Sequence, residues 1–221
     1  MYERYVKRGI DFILALIILP FVLFVIVIMT PFILISDPGP IFYSGLRRGR
    51  NGMPFKMYKF RSMYVNSPDV RNLDGSTFNG HDDPRVTPIG RFMRKTSIDE
   101  IPQFLNVLIG DMSFVGPRPT LATKSFEEVE VERRKRYDVK PGITGYAQAY
   151  FRNSISQEDK FKYDLYYVDH VSFKLDLKIL SQTMISSLVI LIYFLITSAR
   201  NISHSPWDGY NNAEVVFVMD D

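Results

Sequence analysis

The segment Thr96–Pro119, TSIDEIPQFLNVLIGDMSFVGPRP, contains two adjacent acidic residues, Asp99 and Glu100, and ends in a loop that carries Arg118. Basic residues, Arg94 among them, lie directly before it. An aspartate carboxylate can act as a nucleophile toward phosphorus, and carboxylate oxygens hold Mg²⁺ on phosphate groups. The planar fork of arginine matches phosphate oxygens. One interpretation of the pattern is a site for a diphosphate and Mg²⁺, in which a nucleophilic carboxylate lies beside a metal ligand.

The acid pair is predicted to begin a helix. Apolar residues recur at spacing i, i+3, i+4 and i+7, at Ile101, Phe104, Leu105 and Leu108. Pro102 is tolerated only in the first helical turn, so the helix is expected to start at about 97–99 and to end at Gly110. The alternative role of the acids is structural, because Ser97 and Glu100 resemble a capping box and acids stabilise a helix N-terminus.

The loop Gly116–Pro119 is predicted to be rigid, because two prolines exclude both a helix and a central strand. Such a loop holds the guanidinium of Arg118 in a fixed direction, which favours binding of a diphosphate. The alternative is a stiff connector without a binding role.

A longer stretch carries a family resemblance. The run from Asp83 to Pro119, DPRVTPIGRFMRKTSIDEIPQFLNVLIGDMSFVGPRP, together with KRGID, KMYKFRSM and VKPGITGYAQ, resembles the bacterial sugar transferase family of monotopic phosphoglycosyl transferases. It covers most of the chain up to about residue 180. The resemblance implies transfer of a sugar 1-phosphate from a UDP-sugar to polyprenyl (undecaprenyl) phosphate. It also implies a covalent intermediate on Asp99, release of UMP, and a role in the first membrane step of polysaccharide or glycoconjugate assembly.

The resemblance also suggests which residues contact the substrates. They are Lys59, Arg61, Arg85, Arg94, Arg118, Gly142, Thr144, Gly145 and Asp176. Lys59 and Arg61 are expected on one face of a strand, where solvated surface charges are an equal explanation. The two glycines allow close backbone approach, as beside the uridine nucleotide, although a short glycine pattern alone is weak evidence.

Composition narrows the kinds of site and partner that the chain can have. The 221 residues suffice for one domain with additional segments. The chain has no Cys, which excludes disulfides and thiolate metal sites, and its three His residues lack the spacing of metal ligands. A net charge of +3 and a pI of about 9.0 suit anionic lipids or phosphates. No nucleic-acid motif is present, so nucleic acid is not an expected partner.

The N-terminal segment is predicted to enter a membrane. Residues 10–35 are almost entirely apolar, and a straight helix of that length would reach about 39 Å. Pro20 lies in the middle, where it is expected to kink the helix. Basic residues flank both ends, Lys7 and Arg8 among them, so both ends are expected on the cytoplasmic side. These features favour a re-entrant helix with both ends on the cytoplasmic side, and the resemblance implies that the membrane is the bacterial inner membrane.

Lys7 and Arg8 have two compatible roles, a topology anchor and a contact with lipid phosphate. Beyond the membrane helix, Asn51-Gly52 predicts a β-hairpin between strands at about 41–47 and 55–61. Residues 158–171 and 173–180 suggest amphipathic helices at the membrane interface, with core packing as an equal alternative.

The expected fold is therefore α+β and mostly helical: a re-entrant membrane helix, a short β-hairpin and amphipathic interfacial helices around a small catalytic domain. Its expected divisions are a membrane helix at 1–36, a cytoplasmic catalytic domain at 37–183, and an apolar helix with a polar tail at 184–221. Expected partners are the UDP-sugar, polyprenyl phosphate and membrane phospholipids, with a homodimer possible.

Two other functions compete with this prediction. In a non-enzymatic scaffold the acids would cap a helix and the arginines would bind anionic lipid. In a direct glycosyl transferase the acids would act on the anomeric carbon, and UDP would be released instead of UMP.

Overall fold

A computed structural model describes residues 2–68, 70, 83–123, 125–151 and 154–199 of the chain. The tail at 200–221 lies outside the described residues. The protein is mostly helical, with a few short strands. Its α-helices are α1 (Lys7–Ser36), α2 (Pro88–Thr96), α3 (Gln103–Ile109), α4 (Val131–Arg134), α5 (Tyr146–Tyr150), α6 (Gln157–Asp169) and α7 (Phe173–Ala199). Its strands are β1 (Phe42–Arg48), β2 (Pro54–Phe60), β3 (Ser113–Val115), β4 (Thr120–Leu121) and β5 (Gly142–Thr144).

Helix α1 contains the apolar N-terminal run. It is long and apolar enough to cross a membrane, with a mean hydropathy of 3.4 over its most apolar 18-residue window, of which 17% is buried. Pro20 and Pro31 both lie inside this helix. Apolar side chains such as Ile17, Phe24 and Val27 are exposed. The re-entrant course and the kink at Pro20 stay predictions.

Both ends of α1 pack on the same globular domain. Near its start, the carboxylate of Asp11 accepts a hydrogen bond from the Phe114 backbone N–H at 3.2 Å. Near its end, Ile33 and Met29 belong to a buried cluster with Phe60 of β2. The long apolar helix is therefore held at both ends by one body.

The strands form two small sheets. Strands β1 and β2 pair antiparallel with Phe42 opposite Phe60, and β4 adds to the other edge of β1. The connection between β1 and β2 contains a 3₁₀ turn, Arg50–Gly52, in which Asn51 has φ 55°. Strands β3 and β5 pair in parallel beside the main buried cluster, which includes Met112, Val115 and Tyr167.

The helix predicted around the acid pair is wrong at its start and right at its end. Helix α2 ends at Thr96, its C-cap Ser97 has left-handed backbone geometry (φ 59°), and a 3₁₀ turn Ile98–Glu100 follows. Pro102 directly precedes α3 instead of lying in its first turn. Gly110, with φ 99°, ends α3 as predicted. Ser97 makes no side-chain cap hydrogen bond.

The long C-terminal helix joins two predicted segments. Residues 173–180 and the apolar stretch from 184 belong to one helix, α7. The predicted C-terminal segment therefore begins inside α7. Helix α6 precedes it, with Ser156 as N-cap accepting from the Asp159 N–H at 3.1 Å.

A buried asparagine fixes α3 on β2. Asn106 is fully buried, its side-chain oxygen accepts from the Tyr58 N–H at 2.9 Å, and its amide donates to the Lys56 carbonyl at 2.8 Å. This pair of bonds sets the distance between β2 and the turn that carries the acid pair. Asn106 was not among the predicted residues; an amide within an apolar helical run was the available signal.

We expect Asn106→Ala to lower the free energy of unfolding by about 2–4 kcal/mol, because it leaves a buried N–H and a buried carbonyl without partners. Urea unfolding of the chain in nonionic-detergent micelles measures this loss. Ile109→Ala, at an exposed position of the same helix, is the control and should change stability little. Equal losses in the two variants would contradict the role given to Asn106.

Candidate active site

The acid pair lies on the 3₁₀ turn between α2 and α3, facing β2. Asp99 is buried, with 9% of its surface exposed. The Glu100 carboxylate forms an ion pair with the Lys59 ammonium at 2.5 Å and lies 3.6 Å from the Arg118 guanidinium. The structure thus brings together residues of β2, the turn and the loop after β3.

The two carboxylates differ electrostatically. Burial raises the pKa of Asp99 to about 6; the negative charge of Glu100 adds to this rise, while Lys59 and Arg94 oppose it. Burial also acts to raise the pKa of Glu100, but Lys59 and Arg118 outweigh it and hold that pKa below its ordinary value. Glu100 is therefore ionised at neutral pH. Asp99 has a pKa close to neutral pH, as is common for catalytic groups.

Arg94 and Arg118 reach the site by different routes. The Nε of Arg94, on α2, donates to the Ser62 hydroxyl at 2.8 Å. Arg118 is held through its backbone, because its carbonyl accepts from the Arg136 guanidinium at 3.1 Å. Its side chain is 63% exposed. Arg94 is therefore fixed at the edge of the acid pair, and the exposed side chain of Arg118 is available to an incoming anion.

Asp99 and Glu100 can hold one magnesium ion only if a bound diphosphate supplies further oxygen atoms. No group of three or more acidic or histidine side chains suited to a metal occurs in the described part of the chain. Mg²⁺ is commonly bound by one or two carboxylates, with phosphate oxygens and water completing its octahedron. Asp99 and Glu100 fit that pattern if a diphosphate lies beside them.

Two further predicted substrate contacts are engaged in ion pairs within the protein. Arg61 pairs with Asp37 and donates to the Pro40 carbonyl at 2.6 Å, which connects β2 to the end of α1. Arg85 forms a buried ion pair with Asp83 at 2.6 Å. The side-chain hydrogen bond from Arg85 lowers the pKa of Asp83 to about 2. The structure gives both arginines a supporting position, and direct contact with substrate stays a prediction.

The predicted nucleotide loop packs against the arginine loop. A Cβ on Gly142 would lie 2.1 Å from the Gly116 backbone nitrogen, and one on Gly145 would lie 2.3 Å from the Gly116 carbonyl oxygen. The buried Thr144 hydroxyl lies 2.7 Å from that of Thr183 on α7. These residues position the loop that carries Arg118, and their contact with a nucleotide stays a prediction.

Asp176 lies with the start of α1 and not with the acid pair. Its carboxylate accepts from the Lys7 ammonium at 2.6 Å, the Tyr2 hydroxyl at 2.6 Å and the Tyr167 hydroxyl at 2.7 Å. Arg8 donates to the carbonyls of Val107 and Leu108 at the end of α3. Asp176 therefore joins the N-terminal segment to α7, and Lys7 is buried in that contact.

Sequence reasoning missed two polar residues around the acid pair. Gln103 is buried and hydrogen-bonds Glu100. Ser62 accepts from Arg94 through its hydroxyl and from the Thr87 N–H through its carbonyl. Gln103 follows the acid pair by three residues, a spacing that could have identified it. Ser62 has no comparable signal, since its contacts are distant in sequence.

Comparison with known proteins gives a consistent set of relatives. A family model described as bacterial sugar transferase matches residues 2–189. The chain is 50% identical over 150 residues to "Uncharacterized sugar transferase EpsL" of Bacillus subtilis, covering 68% of this chain and 71% of that protein. It is 38% identical over 194 residues to the UDP-glucose:undecaprenyl-phosphate glucose-1-phosphate transferase of Escherichia coli, covering 85% of this chain.

A third relative is the UDP-N-acetylgalactosamine-undecaprenyl-phosphate N-acetylgalactosaminephosphotransferase of Aeromonas hydrophila, 37% identical over 185 residues and 81% of this chain. The match covers 41% of the Escherichia coli protein and 43% of the Aeromonas protein. The chain thus spans less than half the length of these two relatives.

Proposed function

The chain belongs to the bacterial sugar transferase family, and we propose that it is a phosphoglycosyl transferase that moves a sugar 1-phosphate from a UDP-sugar to undecaprenyl phosphate. The observation that carries the proposal is the acid pair, in which Glu100 is paired with Lys59 and the buried Asp99 has a pKa raised to about 6. A pure helix cap needs neither the burial nor the surrounding cations. The names of the relatives supply the substrate classes.

In the first step, a carboxylate oxygen of Asp99 attacks the β-phosphorus of the UDP-sugar. The bond from that phosphorus to the bridging oxygen breaks, and UMP leaves with the oxygen. The sugar 1-phosphate remains as an acyl phosphate on Asp99. Arg118 and Arg94 lie where they can bind the diphosphate and stabilise the charge that develops on it.

Asp99 and Glu100 would hold a magnesium ion, which when bound neutralises diphosphate charge and polarises the phosphoryl oxygens. Lys59 keeps Glu100 ionised and therefore able to act as a ligand. Asp99 also carries the nucleophilic oxygen, so Glu100 is the more constant of the two ligands.

In the second step, a phosphate oxygen of undecaprenyl phosphate attacks the same phosphorus and displaces the Asp99 carboxylate. This acceptor is confined to the bilayer, so the site must lie at the membrane surface. The packing of both ends of α1 on one domain supports a re-entrant helix, because a spanning helix would place its ends on opposite sides. We place the enzyme at the cytoplasmic face of the inner membrane, in contact with its phospholipids.

Product analysis tests the proposal. Purified chain in nonionic detergent is incubated with a UDP-sugar and Mg²⁺ without lipid acceptor, and the nucleotide is separated by chromatography. The proposal requires UMP in an amount stoichiometric with enzyme, and turnover once undecaprenyl phosphate is added. Release of UDP would identify a direct glycosyl transferase. If no nucleotide were released, the chain would be a non-enzymatic scaffold.

We expect the acid limb of kcat/KM to lie near pH 6, since protonation of Asp99 removes the nucleophile as pH falls through its pKa. Lys59 lowers that pKa, so Lys59→Gln should raise it and move the limb to higher pH. Initial rates of UMP release between pH 5 and pH 9 measure the shift. At neutral pH we expect kcat/KM of Lys59→Gln to fall about 10²-fold.

Lys56→Gln is the matched control, because Lys56 is an exposed lysine of the same strand. It should leave the profile unchanged. A limb that stays in place or moves to lower pH in Lys59→Gln would contradict the electrostatic role assigned to Lys59.

A further inference from the structure

A second charged site lies at the opposite end of α3 from the acid pair. It is a cavity of about 110 Å³ whose lining includes Glu3, Lys7, Arg8, Asp11, Arg50 and Lys140. Arg8 contacts the carbonyl end of α3, whereas Glu100 precedes its first residue. The seven residues of α3 separate the two sites by about 10 Å. The mechanism proposed above does not use this cavity.

Cations outnumber carboxylates in the lining of the cavity. Lys7 pairs with Asp176, Arg50 lies 3.4 Å from Glu3, and Asp11 accepts from the backbone of Phe114. Among the residues that line the cavity, four are cations, Lys7, Arg8, Arg50 and Lys140, and two are carboxylates, Glu3 and Asp11. Two further carboxylates act from outside the lining, Asp176 on Lys7 and Asp111 on Lys140.

Lys140 differs from the other three cations of the lining. Within the described ranges, its ammonium forms no ion pair and no hydrogen bond, although the side chain is half-buried. Burial lowers the pKa of Lys140; Arg8 and Arg50 lower it further, while Asp11 and Asp111 act in the opposite direction. A half-buried cation beside two other cations is relieved by an anion in the cavity.

The position of the cavity relative to the exposed apolar surface of α1 indicates where that anion comes from. Lys7 and Arg8 begin α1, and the exposed apolar surface of the helix begins one turn later at Phe12 and Ile13. Tyr5, on the other side, is 67% exposed. If the apolar surface lies in the bilayer, the cavity opens at the level of the lipid headgroups, where aromatic and basic residues concentrate.

We propose that this cavity binds a phosphate group, carried by the headgroup of an anionic membrane phospholipid. A phosphodiester has a single negative charge, which compensates the charge of Lys140. In this proposal the half-buried Lys140 donates to the phosphate, and the more exposed Arg50 contacts it nearer the solvent. The bound lipid would anchor the start of α1 to the membrane independently of the catalytic site.

Ligand-induced stabilisation tests this site without any measure of activity. The whole chain in nonionic detergent is titrated with dioctanoyl phosphatidylglycerol, dioctanoyl phosphatidylcholine or inorganic phosphate, and apparent Kd values are taken from the rise in Tm. We expect phosphatidylglycerol to bind more tightly than phosphatidylcholine. Lys140→Gln should weaken phosphatidylglycerol binding about 10-fold or more, since a charge-assisted hydrogen bond is lost.

Two variants complete the test. Arg50→Gln alters a half-exposed side chain, so it should fold and also weaken binding. Lys174→Gln removes an exposed lysine of α7 and controls for the general attraction of an anionic lipid to a basic protein. A response to inorganic phosphate as strong as that to phosphatidylglycerol, and lost in Lys140→Gln, would support the phosphate site with free phosphate as its source. Unchanged binding in Lys140→Gln, or an equal loss in Lys174→Gln, overturns the proposal.

Discussion

Asp99→Asn should abolish release of UMP from a UDP-sugar, with a loss of at least about 10⁴-fold, because the amide cannot form the acyl phosphate. Stopped incubations with radiolabelled UDP-sugar measure the burst of UMP in the absence of acceptor. In the unaltered chain, mass spectrometry of proteolytic peptides should find the sugar 1-phosphate on the peptide that contains Asp99. The same peptide from Asp99→Asn should carry no added mass.

Two control variants separate the nucleophile from its surroundings. Asp138→Asn, at an exposed aspartate elsewhere in the domain, should retain full activity. Glu100→Gln should slow the reaction and still permit a trapped adduct, because Asp99 remains. An adduct mapped to Glu100, or UMP release that persists in Asp99→Asn, would exclude Asp99 as the nucleophile.

Arg136→Gln should lower the free energy of unfolding by about 3–5 kcal/mol at neutral pH, because it leaves the buried carboxylate of Asp164 without its cation. Arg136 also donates to the Arg118 carbonyl, so the variant should loosen the arginine loop as well. Urea unfolding in nonionic-detergent micelles between pH 5 and pH 8 measures the loss. The double variant Arg136→Gln/Asp164→Asn should recover most of it.

The dependence of the free energy of unfolding on pH has a defined sign. Burial raises the pKa of Asp164 from 3.8 to about 6, against the opposing charge of Arg136. The folded chain therefore binds the proton more tightly than the unfolded chain, and this group lowers the free energy of unfolding as pH rises from about 4 to about 6. Asp164→Asn removes that decline. In Arg136→Gln the loss should shrink toward pH 5, where Asp164 takes up a proton; a loss independent of pH would contradict this origin.

Part of the candidate site follows from sequence, because it depends on residues close together in the chain. Proline stereochemistry places the Gly116–Pro119 segment in a loop, and the apolar spacing predicts a helix that ends at Gly110. The start of that helix was not predictable from spacing, because the left-handed conformation of Ser97 ends α2 and sets a separate turn before Pro102. Such a break depends on how α2 and α3 pack.

The pairing of charges required the folded chain. Lys59 meets Glu100 across 41 residues, whereas Arg61, the residue directly after β2, meets Asp37 instead. The period of a strand places both side chains on one face, but only the packing of α3 and of the end of α1 decides which acid each side chain reaches. Asp176 is a further example, since its partner Lys7 lies 169 residues away in the chain.

The sequence by itself determined the family, the apolar helix at the N-terminus and the presence of an acid pair beside arginines, since each depends on residue type, order and length. Tertiary structure alone decided that Asp99 is buried, that Glu100 is held by Lys59, and that both ends of α1 contact one domain. The physical reason is that desolvation and long-range ion pairing are properties of the packed chain, and they set the pKa of each carboxylate.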